Sequence, residues 1–307
     1  MQINKEKVAI LMATYNGDKY IEEQIYSIYN QDDVSSILYI SDDLSTDNTI
    51  NIIENFRQKN KFDIQFSVNH NKYFKKKSSA NNFYRLIIDS NIPNDIKWVA
   101  FSDQDDIWFN DHLKRAINCI KVNKYSGYSA SVIAFWSNKK KIYIKKDGKQ
   151  NKFNYLFESA GPGCTYVLPK STFLLLQEHF RKNINILSNI DFHDWSIYAF
   201  VSSQNGYWFI DSNPALYYRQ HSSNVFGAKI GINGIVLRLK LLTGKWYRGQ
   251  VLAIADLVNK NELEIIKLYT RFNFIDKLYL AYYAFNMRRN LLDSFTLSLS
   301  ILLSGKK

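Results

Sequence analysis

The sequence predicts an α/β chain built on a mostly parallel sheet flanked by helices, with a helical extension at its C-terminus. Three observations carry this. Apolar strand-like runs alternate with amphipathic helical runs over the first ~120 residues, and parallel strands need such crossover helices. The polar residues gather at the strand ends, where open α/β sheets bind ligands. After residue 230 the pattern turns helical, with Arg and Lys set among aliphatic and aromatic residues.

Residues 8–13 form a continuous apolar run and read as a buried first strand. A helix follows from about Tyr20, with Ile21, Ile25 and Ile28 on one face. The second strand, residues 37–40, ends at Ser41-Asp42-Asp43. Ser45 or Asp47 then supplies an N-cap for a helix carrying Ile50, Ile53 and Phe56. A third strand covers 64–68, a third helix 81–88 and a fourth strand 98–101. Asp111 precedes an amphipathic run at Leu113, Ala116, Ile117 and Ile120. Beyond residue 125 short strands at 131–136 and 142–144 flank a lysine-rich turn, and a Gly161-Pro162-Gly163-Cys164 corner leads into a strand at 165–168. This turn-rich part is expected to be antiparallel and to cover the strand-end crevice. A helix from His193 to about Ser203 and strands at 207–210 and 215–218 complete the order.

Three polar clusters fall at the ends of these strands: Thr14-Tyr15-Asn16-Gly17 after the first, Asp42-Asp43 after the second, and Ser102-Asp103-Gln104-Asp105-Asp106 after the fourth. Three carboxylates in four residues repel and raise one another's pKa, a cost that a divalent cation removes. Oxygen ligands at a strand end suit Mg²⁺ or Mn²⁺ and a substrate phosphate. An acidic loop capping the next helix is the simpler account of the last cluster alone. The convergence of all three on one crevice favours a nucleotide-phosphate site. No Gly-x-Gly-x-x-Gly and no Gly-Lys-Ser/Thr loop is present, so neither a dinucleotide fold nor a P-loop is supported.

With 307 residues and 46% apolar composition the chain can build a substantial core. Two cysteines, Cys119 and Cys164, offer neither a disulfide framework nor zinc spacing, and both are expected to be packing residues. The polar N-terminus leaves no room for a signal-peptide apolar region, so cytoplasmic residence is expected. The longest apolar stretch, 291–303, is too short to span a bilayer. The net charge of +12 calls for an anionic partner. Its clusters at 75–77, 139–149, 238–248 and Arg288-Arg289 are mixed with aromatic and aliphatic residues, which suits a membrane surface better than a groove for nucleic acid.

These motifs belong together. Val8-Ala-Ile-Leu-Met-Ala-Thr-Tyr-Asn-Gly17, Ile40-Ser-Asp-Asp43 with Ser45-Thr-Asp47, Phe101-Ser-Asp-Gln-Asp-Asp-Ile-Trp108, His193-Asp-Trp195 and Tyr218-Arg-Gln-His221 resemble glycosyltransferase family 2 enzymes of the GT-A fold. The Ser-Asp-Gln-Asp-Asp-Ile-Trp and Arg-Gln-His forms look most like the rhamnosyltransferase-like branch of bacterial surface-polysaccharide synthesis. The resemblance covers roughly residues 7–227 and implies an inverting transfer of a sugar from a nucleoside diphosphate sugar to a hydroxyl. On that resemblance Thr14, Tyr15 and Asn16 hold base and ribose, and Asp42 or Asp43 accepts from the base imide. Asp103 and Asp105 are the Asp-x-Asp pair at ribose and metal, with Asp106 a rival metal ligand. Asp194 takes the general-base position, and His221 the position that touches metal or diphosphate. Arg219 is suited to the diphosphate oxygens, and Trp108 and Trp195 to stacking on sugar or base.

The resemblance departs at Leu44, where relatives carry glycine, and at the basic run Lys75-Lys76-Lys77 before Asn82-Phe83. It implies a catalytic domain at 1–230 and a basic amphipathic helical region at 231–307. The branch points to L-rhamnose from dTDP-rhamnose, an Mn²⁺ or Mg²⁺ cofactor, and a glycan or lipid-linked acceptor in capsule or O-antigen synthesis. The tail suits an anionic membrane surface, or equally a helical bundle packed on the catalytic domain or a homodimer contact. The competing readings are a nucleotidyltransferase on a sugar phosphate, which needs a glycine-rich lysine-bearing loop that Thr14-Tyr15-Asn16-Gly17 is not, and a non-enzymatic nucleic-acid-binding protein.

Overall fold

The computed structural model describes residues 5–68, 73–221, 239 and 241–305. Strand β1 (Glu6–Thr14) lies in the middle of a seven-stranded sheet, between β2 (Val34–Asp42) and β4 (Trp98–Ser102), both parallel to it. Its continuous apolar run has a simple cause, since successive side chains point to opposite faces. Ala9, Leu11 and Ala13 enter the core on one face, and Val8, Ile10 and Met12 the core on the other. Beyond β2 lies β3 (Ile64–Val68), also parallel. On the other side β4 is followed by the short antiparallel β9 (Val167–Pro169), then β6 (Gly127–Ala130) and β10 (Trp208–Asp211).

Helices α1 (Ile21–Tyr29), α2 (Thr49–Asn60) and α4 (His112–Asn123) bury their apolar residues in the second core. Helices α3 (Ser79–Asp89), α6 (Lys170–Lys182) and α8 (His193–Ser203) do so in the first. The amphipathic run at Leu113, Ala116, Ile117 and Ile120 is the buried face of α4. Asp111 occupies its N-cap position without a capping hydrogen bond and faces Arg115 instead.

The expected cap of α2 is corrected. Asn48 holds the N-cap position, because Ser45 is bonded to Asp42 and Asp47 accepts from Asp18 as well as Thr49. The wholly antiparallel cover expected beyond residue 125 is corrected too. A second sheet runs β5 (Ile107–Trp108), β11 (Leu216–Gln220), β7 (Val132–Trp136) and β8 (Lys141–Ile144), and in it β11 pairs with β7 in parallel. The corner at Gly163 forms a 3₁₀ turn, Gly163–Thr165, so the strand after it starts at Val167.

The tail supplies α9 (Lys245–Leu257), α10 (Glu264–Arg271), α11 (Phe274–Tyr283) and α12 (Leu291–Leu303). It shares the first core through Tyr247, Val251, Leu280 and Ile301, so it packs on the catalytic part of the chain. The Tyr247 hydroxyl donates to the Phe157 carbonyl, and the Trp246 indole to Asp191 Oδ2. The expected cationic helix faces are corrected: Arg288 and Arg289 turn inward to Glu158, and Arg248 donates to the carbonyls of Tyr269 and Thr270. The expected domain boundary at 230/231, the basic residues Arg238 and Lys240, and His70 lie outside the described residues. Among the described residues no helix is long and apolar enough to cross a membrane.

Candidate active site

The register places the three polar clusters side by side. Thr14 is the partner of Asp42 across β1 and β2, and Met12 the partner of Ser102 across β1 and β4. Backbone and side-chain bonds then lace the loops together. The Asn16 N–H donates to Ser45 Oγ at 2.8 Å, the Thr46 N–H to Asn16 Oδ1 at 2.8 Å, and the Gly17 N–H to Thr49 Oγ1 at 2.7 Å. Gln104 grips the first loop from the third. Its Oε1 accepts from the Tyr15 N–H at 2.9 Å, and its Nε2 donates to the Tyr15 carbonyl at 3.0 Å. Gly17 is required here, since a Cβ on it would lie 2.4 Å from Gln104 Oε1. Leu44 keeps the turn its departure put in doubt by adopting a left-handed φ of +65°.

Two residues expected to meet the base are used inside this network. Asp42 is fully buried and accepts from Thr14 Oγ1 at 2.9 Å, the Ser45 N–H at 2.7 Å and Ser45 Oγ at 2.6 Å. Its carboxylate and the buried Thr14 hydroxyl therefore fix the loop, which leaves the exposed Tyr15 and Asn16 at the surface of the crevice. Asp43 follows, its N–H bonded to the Thr14 carbonyl. The Lys77 amine donates to the Asp43 carbonyl and lies 5.6 Å from the centre of the Tyr15 ring. Burial lowers the pKa of Arg85 on α3, and the charges of Asp89, Asp43 and Asp42 offset it in part. Neither cation was singled out for this site from sequence: Lys77 belonged to a run of three lysines, and Arg85 sits in a helix buried all round.

After β4 the carboxylates separate by environment. Burial pushes Asp103 up to about 7, and the charges of Asp105 and Asp194 add to it. Asp106 is fully buried and raised well above the carboxylate range by burial, then by Asp105 and Asp103. Its Oδ1 accepts from the Arg219 N–H, and its Oδ2 has no hydrogen-bond partner. Asp105 meets His221, whose Nε2 lies 2.7 Å from Asp105 Oδ2. Ligand atoms of Asp103, Asp106 and Cys164 lie within 4.8 Å of one another. Cys164, expected only to pack, thus puts its thiol beside two carboxylates. Burial, then Asp106 and Asp103, raise that thiol's pKa, so it stays protonated.

Arg219 donates its Nε proton to the Asp105 carbonyl at 2.7 Å, pairs with Glu23, and stacks over Tyr20 and Phe135 at 4.5 and 4.6 Å. It therefore fixes the loop that carries Asp105. The stacking expected of Trp108 is corrected, since it is only 2% exposed and meets His112 edge-on inside the core. Trp195 is 4% exposed, with its indole N–H on the Tyr155 carbonyl and its ring stacked on Tyr247, and it lines the cavity beside Asp194.

Asp194 sits in the first turn of α8, its Oδ1 accepting from the Trp195 N–H at 2.7 Å. Burial lifts it to about 6, against the pull of that N–H, the Ser159 hydroxyl and Lys146. The Gly163 turn joins it to the carboxylate cluster, since a Cβ on Gly163 would come within 2.5 Å of His193 Nε2 and 3.1 Å of Asp194 Cβ. His193 itself stacks on Phe83 at 3.8 Å, and burial lowers it to about 3, so it is a neutral wedge. Asp194 also borders a cavity of about 350 Å³, whose walls include Lys146, Glu158, Trp246, Arg288 and Asp293.

A sheet with polar loops at its carboxyl edge, a carboxylate cluster beside them, and a separate carboxylate of raised pKa at a cavity fit a group transferase acting on a nucleotide-activated substrate. Residues 9–184 match the family described as Glycosyl transferase family 2. The chain is 40% identical to the dTDP-rhamnosyl transferase RfbG of Shigella flexneri, over 95% of this chain and 99% of that protein. It is 27% identical to the UDP-Glc:alpha-D-GlcNAc-diphosphoundecaprenol beta-1,3-glucosyltransferase WfgD of Escherichia coli, over 54% and 61%. Residues 1–349 of S. aureus TarS, solved in complex with UDP-GlcNAc, share the fold at 14% identity and a TM-score of 0.55, over 96% of this chain and 90% of that one. The chain belongs to glycosyltransferase family 2 and is a nucleotide-sugar glycosyltransferase.

Proposed function

We propose that this enzyme transfers L-rhamnose from dTDP-rhamnose to a hydroxyl of a glycan or lipid-linked acceptor, with inversion, in O-antigen or capsule synthesis at the inner face of the membrane. The 40% identity to the Shigella rhamnosyl transferase across 95% of the chain carries the donor. The geometry supports the chemistry through Asp194, which lies near enough to the carboxylate cluster for its charge to raise Asp103. The acceptor oxygen bonds to the anomeric carbon as the bond from that carbon to the diphosphate oxygen breaks. The diphosphate leaves with the electron pair, and Asp194 takes the hydroxyl proton, work typically worth about 10²- to 10⁴-fold in rate.

Donor binding falls to the laced loops, with Tyr15 and Asn16 at their surface, Asp43 and Lys77 beside them, and Asp103 toward the ribose. The residues present fit a hard divalent cation, because the buried Oδ2 of Asp106 has no partner and oxygen ligands of Asp103, Asp105 and Asp106 outnumber the single soft sulfur of Cys164. Asp105 and Asp106 would hold Mn²⁺ or Mg²⁺ with His221 alongside. A cation there supplies neutralisation of the departing diphosphate. In a nucleoside diphosphate release assay with a panel of nucleotide sugars, dTDP-rhamnose is expected to be turned over, with release lost in Asp105→Ala and on chelation. Release from UDP-sugars alone overturns the donor assignment, and undiminished release in Asp105→Ala overturns the metal assignment.

A further inference from the structure

Among the described residues, 22 large apolar side chains are exposed, and 13 of them fall between residues 274 and 303. Apart from Phe285 in the turn between them, they form one stripe on each of the two packed helices α11 and α12. Phe274, Leu278 and Tyr282 succeed one another at helical spacing on the first, and Leu291, Phe295 and Leu299 on the second.

Helix α12 is apolar on both sides. Its buried side holds Leu297 and Ile301 together with Ser294, Thr296 and Ser300, whose hydroxyls donate to the carbonyls four residues back, so they pack inward without unmet bonds. Asp293 is its single charged residue. With Leu297 and Ile301 already buried, the outward leucines and Phe295 are apolar surface the core does not use, and a patch of this extent marks an interaction site. At 13 residues the helix is about 20 Å long, too short to span a bilayer and suited to lying in its surface.

Charge decides between occupants. A second copy would bring one chain of net charge +12 against another, whereas an anionic lipid surface attracts that charge. Tyr279, Tyr282 and Tyr283 at the end of α11 have the apolar body and polar tip that suit the headgroup level. The same segment reaches the active site, because Arg288, Arg289, Asp293 and Thr296 line the cavity that Asp194 borders.

We propose that the α11–α12 face docks on an anionic lipid bilayer, with its apolar stripes in the headgroup and acyl boundary and the Asp194 cavity beside it. The inference rests on the membrane-surface acceptor proposed above and gives it a location on the molecule.

Flotation of the full chain with phosphatidylcholine vesicles, plain or doped with phosphatidylglycerol, tests this. The wild type is expected to float with the doped vesicles. The double variant Phe295→Ser/Leu299→Ser should lose binding roughly tenfold or more, while Leu174→Ser/Leu175→Ser, exposed on α6, should not. Failure of the wild type to float, or equal flotation of the α12 variant, overturns the inference. So does light scattering that shows a lipid-free dimer dissociated by the same α12 substitutions. Nucleoside diphosphate release on the same samples separates the two readings: turnover of dTDP-rhamnose without flotation removes the docking face alone, and flotation without turnover removes the donor assignment alone.

Discussion

At the scale of single residues, Asp194 is the sharpest point of test. Asp194→Asn should lower kcat by about 10²- to 10⁴-fold and leave dTDP binding by calorimetry unchanged. In the wild type the acid limb of kcat/KM should fall near pH 6, because the carboxylate must be ionised to accept the proton and burial holds it at about 6. A limb near 4 would mean that the group is solvated and not this base. The same shift acts on stability with the opposite sense. A carboxylate raised from 3.8 to about 6 binds more protons folded than unfolded, so its stabilising contribution is present below about pH 4 and lost as pH rises through 6. Asp194→Asn should therefore gain more in Tm relative to wild type at pH 8 than at pH 4. Cys164 offers a second test, since sulfur is a soft ligand that hard cations do not select: Cys164→Ser should keep its dependence on Mn²⁺ or Mg²⁺, as followed by nucleoside diphosphate release. Leu44→Gly removes a left-handed non-glycine at a cost in chain entropy, for a net gain of about 0.5–1 kcal/mol in thermal unfolding.

At the scale of elements, Gly127 shows what the sheet demands. It is paired with Trp208 across β6 and β10, and a Cβ there would lie 2.4 Å from the indole. Gly127→Ala should cost about 1–3 kcal/mol in denaturant unfolding. Nothing in the sequence singled out this short strand, because its four residues carry neither alternation nor a long apolar run. The central strands were legible for the opposite reason: β1 and β4 are buried on both faces along residues 8–13 and 98–101, so those positions are apolar, and the polar residues beyond them marked the crevice. The limit of that reading lay in how polar side chains are spent. Ser45 and Asp47 are sound capping residues, yet the loop network uses them, and Asp42 and Thr14 point into the protein instead of toward a base. Trp108 stands inside a motif and is core. Cys164 met the carboxylates through a turn more than fifty residues downstream of them, a distance that spacing rules do not bridge.

At the scale of the whole molecule, the strand-end loops and the cavity at Asp194, proposed above as donor and acceptor sides, draw on different parts of the chain. The laced loops at 14–18, 41–49 and 102–106 come from the first part of the sequence, with His221 returning to them. The cavity at Asp194 is walled by residues 145–161 and 192–195 and by the tail at 241–296. The match to the family ends at residue 184, ahead of Asp194 and of the whole tail. On the proposed reading, a change confined to the last sixty or so residues would alter the acceptor side of the Asp194 cavity and leave the donor loops as they are. Chimeras that exchange the tail between relatives are expected to keep their donor and inherit the acceptor of the tail's parent. Diversification of surface polysaccharides would then proceed by trading one end of a gene.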